Sequence, residues 1–138
     1  MSDIPPLDVG LFASVDPPQL LGSRCGECAT VVFPTAQSCP RCSCAGMAPH
    51  ALAERGTLWS WTVQNFCPKP PYVPPVGGFV PFAVGYVDLG EVIVEAHLLI
   101  DRAQLAIGTP VRLALEPVVT ADGSEAVNYA FALDQEAT

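Results

Sequence analysis

From Gly56 to Leu133, apolar and β-branched positions alternate with polar ones in short runs that end at turn residues. That is the period of half-buried strands. Gly56–Phe66 (GTLWSWTVQNF) is the first run, and Phe82–Leu89 is the second. Gly90-Glu91 is a short turn into a third run, Glu91–Ile100, so the second and third strands form a hairpin. Asp101–Ile107 (DRAQLAI) changes period: Asp101 is a helix cap, and Ala103, Ala106 and Ile107 lie on one helical side. Gly108 and Pro110 end that turn or two of helix. In Val111–Thr120, Val111, Leu113 and Leu115 alternate with Arg112, Ala114 and Glu116, which predicts one buried and one wet face. Residues 121–124 turn, and Val127–Leu133 is the fifth strand. Five strands with a short helix between the third and fourth is the order of an OB-fold barrel.

Upstream the pattern is different. Residues 1–20 carry prolines at 5, 6, 17 and 18 and predict an extended arm, with a short helix or turn over Pro18–Gly22. Residues 48–55 read as a connector. The predicted division is an arm at 1–23, a metal ribbon at 24–48 and the barrel at 49–138. Between the first two barrel strands, Cys67–Pro81 (CPKPPYVPPVGGFVP) holds six of the 15 prolines and cannot join a central strand. Its Tyr72, Val73, Val76 and Phe79 either fold back over the barrel mouth or form a docking surface for a partner or an acyl chain.

The ribbon is predicted from its cysteines. Cys25-Gly26-Glu27-Cys28 is followed, after ten residues, by Cys39-Pro40-Arg41-Cys42. Each pair sets two thiolates on one tight turn, and two facing turns supply four sulfurs to a tetrahedral ion. Val31, Val32 and Phe33 form one arm of the spacer, and Pro34–Ser38 turn it back. A closed four-sulfur site leaves no open position, so the ion holds structure rather than doing chemistry. Two disulfides are the competing use of four cysteines, but nothing else suggests an oxidising compartment. Cys44 reads as a bystander beside the second knuckle. Cys67 reads as structural, with no neighbour evident to activate it.

Composition narrows the partners. The 138 residues are 50% hydrophobic and 14% charged, which fits a folded chain with some surface hidden by a partner. The net charge of −8 and a pI near 4.4 oppose general binding to phosphate backbones. The start, Met1–Pro6, lacks the basic and apolar regions of a signal peptide, and no run approaches a membrane span. The expected location is the cytoplasm, with no membrane partner.

These motifs have a family likeness. Val32-Phe33-Pro34 follows the first knuckle, and Cys39-Pro40-Arg41-Cys42 leads into Gly56-Thr57-Leu58-Trp59-Ser60-Trp61-Thr62-Val63. Ile107-Gly108-Thr109-Pro110-Val111 and Leu115-Glu116-Pro117 come later. Over about residues 20–133 the chain resembles the zinc-ribbon-plus-OB-fold proteins of domain-of-unknown-function family thirty-five. The tryptophan-bearing segment is the specific part, because CxxC knuckles are common. The resemblance implies an accessory subunit of thiolase-superfamily enzymes: acyl-CoA thiolases, hydroxymethylglutaryl-CoA synthase, and retro-aldolases that shorten CoA-linked steroid side chains. It further implies a hetero-oligomer built on a dimer of the thiolase-like partner, which carries the catalytic residues and binds most of the acyl-CoA. Only the ligands Cys25, Cys28, Cys39 and Cys42 carry across, to a structural zinc. The chain departs from the family in Ser43, where a glycine often follows the second knuckle, and in a short helical lead-in.

Chemistry of the chain's own has few candidates. His50 falls in the connector and is expected to face solvent. Glu95 and His97 share one face of a strand, either as a base with its orienter or as an ordinary wet face. Trp59 and Trp61 are expected to share a face, one packing between barrel and ribbon and the other in the core or an interface. No nucleophile-elbow, Walker or dinucleotide motif is present. The basic residues are Arg24, Arg41, Arg55, Lys69, Arg102 and Arg112. Of these, Arg41, Arg55 and Lys69 are candidate contacts for a CoA phosphate, with Tyr72 and Phe79 as apolar contacts for a partner or acyl chain. Three functions fit this reading. The first is a noncatalytic acyl-CoA-enzyme subunit. The second is a nucleic-acid-binding zinc-ribbon OB protein, which the charge opposes. The third is a rubredoxin-like iron electron carrier, since four thiolates also suit iron.

Overall fold

The structure is a computed structural model that describes residues 4–15, 17–69, 78–120 and 122–134. Its strands are β1 Phe12–Val15, β2 Pro18–Cys25, β3 Val31–Val32, β4 Met47–Ala51, β5 Arg55–Gln64, β6 Phe82–Asp88, β7 Ile93–Leu98, β8 Pro110–Val119 and β9 Glu125–Leu133. β5 to β9 close into a barrel in the order β5-β6-β7-β9-β8. All its pairings are antiparallel except β7 with β9, where His97 and Leu98 sit opposite Ala130 and Phe131. The five predicted barrel strands are therefore present, in a mainly β chain whose N-terminal part is the ribbon.

The upstream expectations need correcting. Pro18–Gly22 is not helical: it is the first half of β2, which pairs with β1 through Phe12↔Leu20 and Val15↔Pro18. A proline at the first position of a strand has no ladder bond to lose. Leu20 then points inward and is fully buried. Part of the supposed connector is β4, paired along its length with β2 from Leu21↔Ala51 to Cys25↔Met47. β3 takes the other edge of β2 at Ser23 and Arg24.

Inside the barrel the differences are smaller. β7 begins at Ile93 and not at Glu91. The Leu89 N–H reaches the Val92 carbonyl at 3.0 Å, and Gly90 holds φ at +94° with its N–H on Asp88 Oδ1 at 2.8 Å. The expected helix at Asp101–Ile107 shrinks to a 3-10 turn, Arg102–Gln104. The Asp101 side chain makes no cap bond there, and its carbonyl accepts from the Gln104 N–H instead. Leu105 is the buried residue of this segment, while Ala103, Ala106 and Ile107 are exposed.

Trp59 and Trp61 do not share a face. The β5–β6 register shifts between Leu58↔Val87 and Ser60↔Tyr86, so β5 bulges at Trp59. An extra residue inverts the alternation downstream of it. Leu58 and Trp61 both face the core, whereas Trp59 is 55% exposed and meets the Tyr86 ring edge-to-face at 6.1 Å.

Ribbon and barrel share one core. Phe12, Leu20 and Leu52 pack in the same cluster as Leu58, Val87, Val94, Leu98, Val111, Leu113 and Phe131. Phe33 of the ribbon meets Tyr129 of β9 edge-to-face at 5.4 Å. Removing apolar surface from water stabilises this joint without any metal.

Candidate metal centre

Two turns hang below the ribbon sheet. Cys25 ends β2, and its carbonyl accepts the Ala29 N–H at 3.0 Å. The second turn repeats this: the Ser43 N–H bonds the Cys39 carbonyl at 2.8 Å. Ala29 and Ser43, each just after the second cysteine of its pair, both lie in the left-handed region, at φ +64° and +65°. Glycine holds such angles without a Cβ penalty, and here an alanine and a serine take them.

The turns face each other and bring together Cys25, Cys28, Cys39 and Cys42. Their sulfurs all lie within 4.8 Å of one another, with Cys25–Cys42 and Cys28–Cys39 each at 3.6 Å. A zinc–sulfur bond of about 2.3 Å implies sulfurs about 3.8 Å apart in a tetrahedron. A disulfide needs about 2 Å, so the arrangement fits an ion and not two bridges. Cys44 stands outside the cluster, and its sulfur accepts the Gly46 N–H at 3.2 Å.

Backbone donors prepare the thiolates. The N–H groups of Cys28 and Glu27 point at Cys25 Sγ and lower its pKa. The Thr30 hydroxyl, 3.1 Å from Cys28 Sγ, with the Thr30 amide, draws Cys28 down to about 6. Cys42 behaves oppositely. The Cys44 amide pulls it down, but crowding by Cys25, burial and the sulfurs of Cys28 and Cys39 outweigh this, and it rises to about 12. Four thiolates at this spacing repel one another, and a divalent cation at their centre removes that cost. The sequence signal for Thr30 is a hydroxyl two residues after a knuckle cysteine, which the CxxC pattern does not include.

The other candidates are scattered. His50 is on β4, half-buried, with Nε2 2.7 Å from Glu91 Oε2 on the β6–β7 turn, so it ties ribbon to barrel. His97 does not use Glu95: its Nδ1 lies 2.9 Å from Glu116 Oε1 on β8, reaching across β9 above Ala130. Glu116 could not be paired with it from sequence, because β9 threads between their strands. The groove beside His97 is lined by Val84, Glu95, Ala96, Asn128 and Tyr129, and the Tyr129 hydroxyl already donates to the Glu95 carbonyl. Arg41 is exposed on the second knuckle, and Arg55, at the start of β5, lies 3.5 Å from Asp134. Lys69 is exposed beyond β5, and Phe79 meets Phe82 edge-to-face at 6.0 Å. Tyr72 lies outside the described residues, as do Val73 and Val76. No helix among the described residues is long and apolar enough to cross a membrane.

Comparison with known proteins agrees with this architecture on both halves. The family model for the ChsH2 rubredoxin-like zinc ribbon domain matches residues 12–45, and that for the ChsH2 C-terminal OB-fold domain matches residues 49–116. The chain belongs to the ChsH2-type DUF35 family. The ribbon match starts at β1, as the sheet does. A solved structure described as the Ltp2-ChsH2(DUF35) aldolase is similar over 89% of this chain and 91% of that one, at 22% identity and a TM-score of 0.61. A DUF35 protein of unknown function from Sulfolobus solfataricus is similar over 84% of this chain and 76% of that one, at 11% identity and a TM-score of 0.51. At these identities the two structures show a shared DUF35 fold.

Proposed function

We propose that this DUF35 chain is a noncatalytic accessory subunit of a thiolase-superfamily enzyme acting on a CoA thioester, an aldolase in the first instance. The observation that carries the reading is the like order of ribbon and barrel, over nearly the full length of both chains, in a protein described as an aldolase. Cys25, Cys28, Cys39 and Cys42 hold a structural zinc. When bound, the ion supplies only a fixed crosslink between two turns. The chain's own residues do the rest. Leu20, Leu52 and Phe33 fix the ribbon on the barrel, and the rigid unit presents the 67–81 segment and its outer strands to the partner. On this reading Arg41, Arg55 and Lys69 meet CoA phosphates, and Tyr72 and Phe79 meet the partner or the acyl chain of its CoA thioester. Excluding water there favours the partner's chemistry. The location is the cytoplasm, where thiols stay reduced.

The test is purification of the tagged chain from its host with metal analysis of the same sample. A stoichiometric thiolase-like partner, about one zinc per chain, and CoA-thioester cleavage only in the complex are expected. Full turnover by the isolated chain overturns the reading. Iron in place of zinc moves the assignment to electron transfer, since the same four thiolates accept iron.

A further inference from the structure

The outer face of β5, β6 and β7 carries an arrangement that neither the metal centre nor the barrel core uses. Across three adjacent strands, Trp59 flanks Tyr86, and Tyr86 stands directly opposite Glu95. Trp59 is 55% exposed and Tyr86 42% exposed, and Glu95 is exposed as well. The rings meet at 83°. In an edge-to-face pair the ring offering its edge keeps its own faces free. The Glu95 carboxylate, on the strand beside it, raises the Tyr86 phenol's pKa. Ile93, on the same side of β7 as Glu95, adds an exposed apolar rim.

The bulge in β5 sets this up. In an uninterrupted strand the two tryptophans would stand side by side. Here Trp61 joins the core, while Trp59 is left outside against Tyr86. An exposed edge-to-face pair with a carboxylate one strand from Tyr86 and two from Trp59 matches a guanidinium: a planar cation stacks on the free ring face and donates two N–H bonds to the acid. The chain's charge of −8 attracts a cationic segment from a distance, and Glu95 is the charge on this face that would hold it.

We propose that the Trp59–Tyr86–Glu95 face docks an arginine-bearing segment of the partner subunit. This rests on the accessory-subunit reading for the identity of the occupant, but not for the chemistry of the face.

The first experiment therefore needs no partner. The metal-loaded full chain is titrated with a hexa-arginine peptide while amide and indole resonances are followed. The Trp59 indole and the Tyr86 and Glu95 amides shift first. Trp59→Ala and Glu95→Gln each weaken binding by about tenfold. Glu125→Gln, which removes the same charge from the exposed start of β9, leaves binding within about twofold. Equal weakening by Glu95→Gln and Glu125→Gln, or resonances that shift elsewhere, overturns the face as a reader of cations. The second experiment measures assembly with the co-purified partner. Glu95→Lys weakens it by about tenfold or more through like-charge repulsion. Wild-type assembly by both Glu95→Lys and Trp59→Ala overturns the partner assignment while the peptide result stands. A wild-type chain that assembles with nothing overturns the accessory reading and this occupant together.

Discussion

The ribbon turns and the barrel are both built from short β-segments, yet different physics holds each. In the barrel, Leu58, Val87, Val94, Val111 and Phe131 are all nearly or fully buried. Between Gly26 and Gly46, Cys39 alone is buried. Those turns have too little apolar surface to offset the entropy of ordering them. Their four sulfurs replace a core with an ion. The upper ribbon sheet belongs to the other regime, because Phe12, Leu20 and Leu52 sit in the barrel's cluster. The boundary that matters energetically thus runs between the knuckles and everything else, and not between the ribbon sheet and the barrel.

The hardest break in that comparison is loss of the metal. For small zinc modules the ion contributes on the order of 10 kcal/mol to folding. Cys25→Ser, or a strong chelator, is expected to abolish amide protection in the two knuckle turns, 26–30 and 39–46, while β5–β9 keep theirs. Hydrogen exchange checks this, and uniform loss of protection in the barrel would refute the division. Leu52→Ala, next in size, probes the joint. Leu52 is 1% exposed in the shared cluster, so the truncation should cost about 2–5 kcal/mol. It should lower the unfolding midpoints of β2 and of the barrel together, whereas separate units would melt apart. Gly85→Ala tests the bulge. An added Cβ would meet the Ser60 backbone carbonyl oxygen at 2.3 Å, an atom that cannot swing aside, and the expected loss is about 1–3 kcal/mol. Trp59 fluorescence should change with it if the bulge holds that ring in place.

The sequence carried the barrel well because its five runs alternate cleanly and end in turn residues. It also carried the four sulfurs, because CxxC spacing is a local constraint on one turn. What it hid was long-range. β2 and β4 lie at 18–25 and 47–51, and prolines at 17, 18 and 49 disguise them as arm and connector. The partner of His97 was hidden because β9, late in the chain, inserts in parallel beside β7. The two tryptophans misled because a bulge breaks strict alternation, and nothing in Ser60 or Trp61 announces one. The family resemblance gave the order of the two parts, and the matched ribbon and barrel regions keep that order.

Two smaller effects sharpen the comparison from opposite sides. Ser43 pays a left-handed penalty at φ +65° that glycine avoids. Ser43→Gly should strengthen metal retention by up to about 1 kcal/mol, after glycine's greater freedom in the unfolded chain is subtracted. A competition titration against a chelator reads this, and weaker retention would show that Ser43 is held by contacts other than its backbone.

The smallest effect lies in the turn between β8 and β9. Asp122 accepts from the Thr120 hydroxyl and, at 2.9 Å, from the Ser124 N–H, and these bonds lower its pKa from 3.8 to about 2. The folded value is the depressed one, so the turn's stabilisation is complete above the unfolded value near 3.8 and fades as pH falls through about 2. The metal centre responds earlier on the same acid titration, because protons compete with the ion for thiolates. Acidification should therefore release the metal while the Ser124 amide still reports an ionised Asp122. Asp122→Asn should remove the low-pH step from that amide's shift and leave metal release unchanged. An Asp122 midpoint near 3.8 would mean that the turn does not hold its carboxylate. A release curve altered by Asp122→Asn would mean that this turn and the metal centre are coupled through the fold between them.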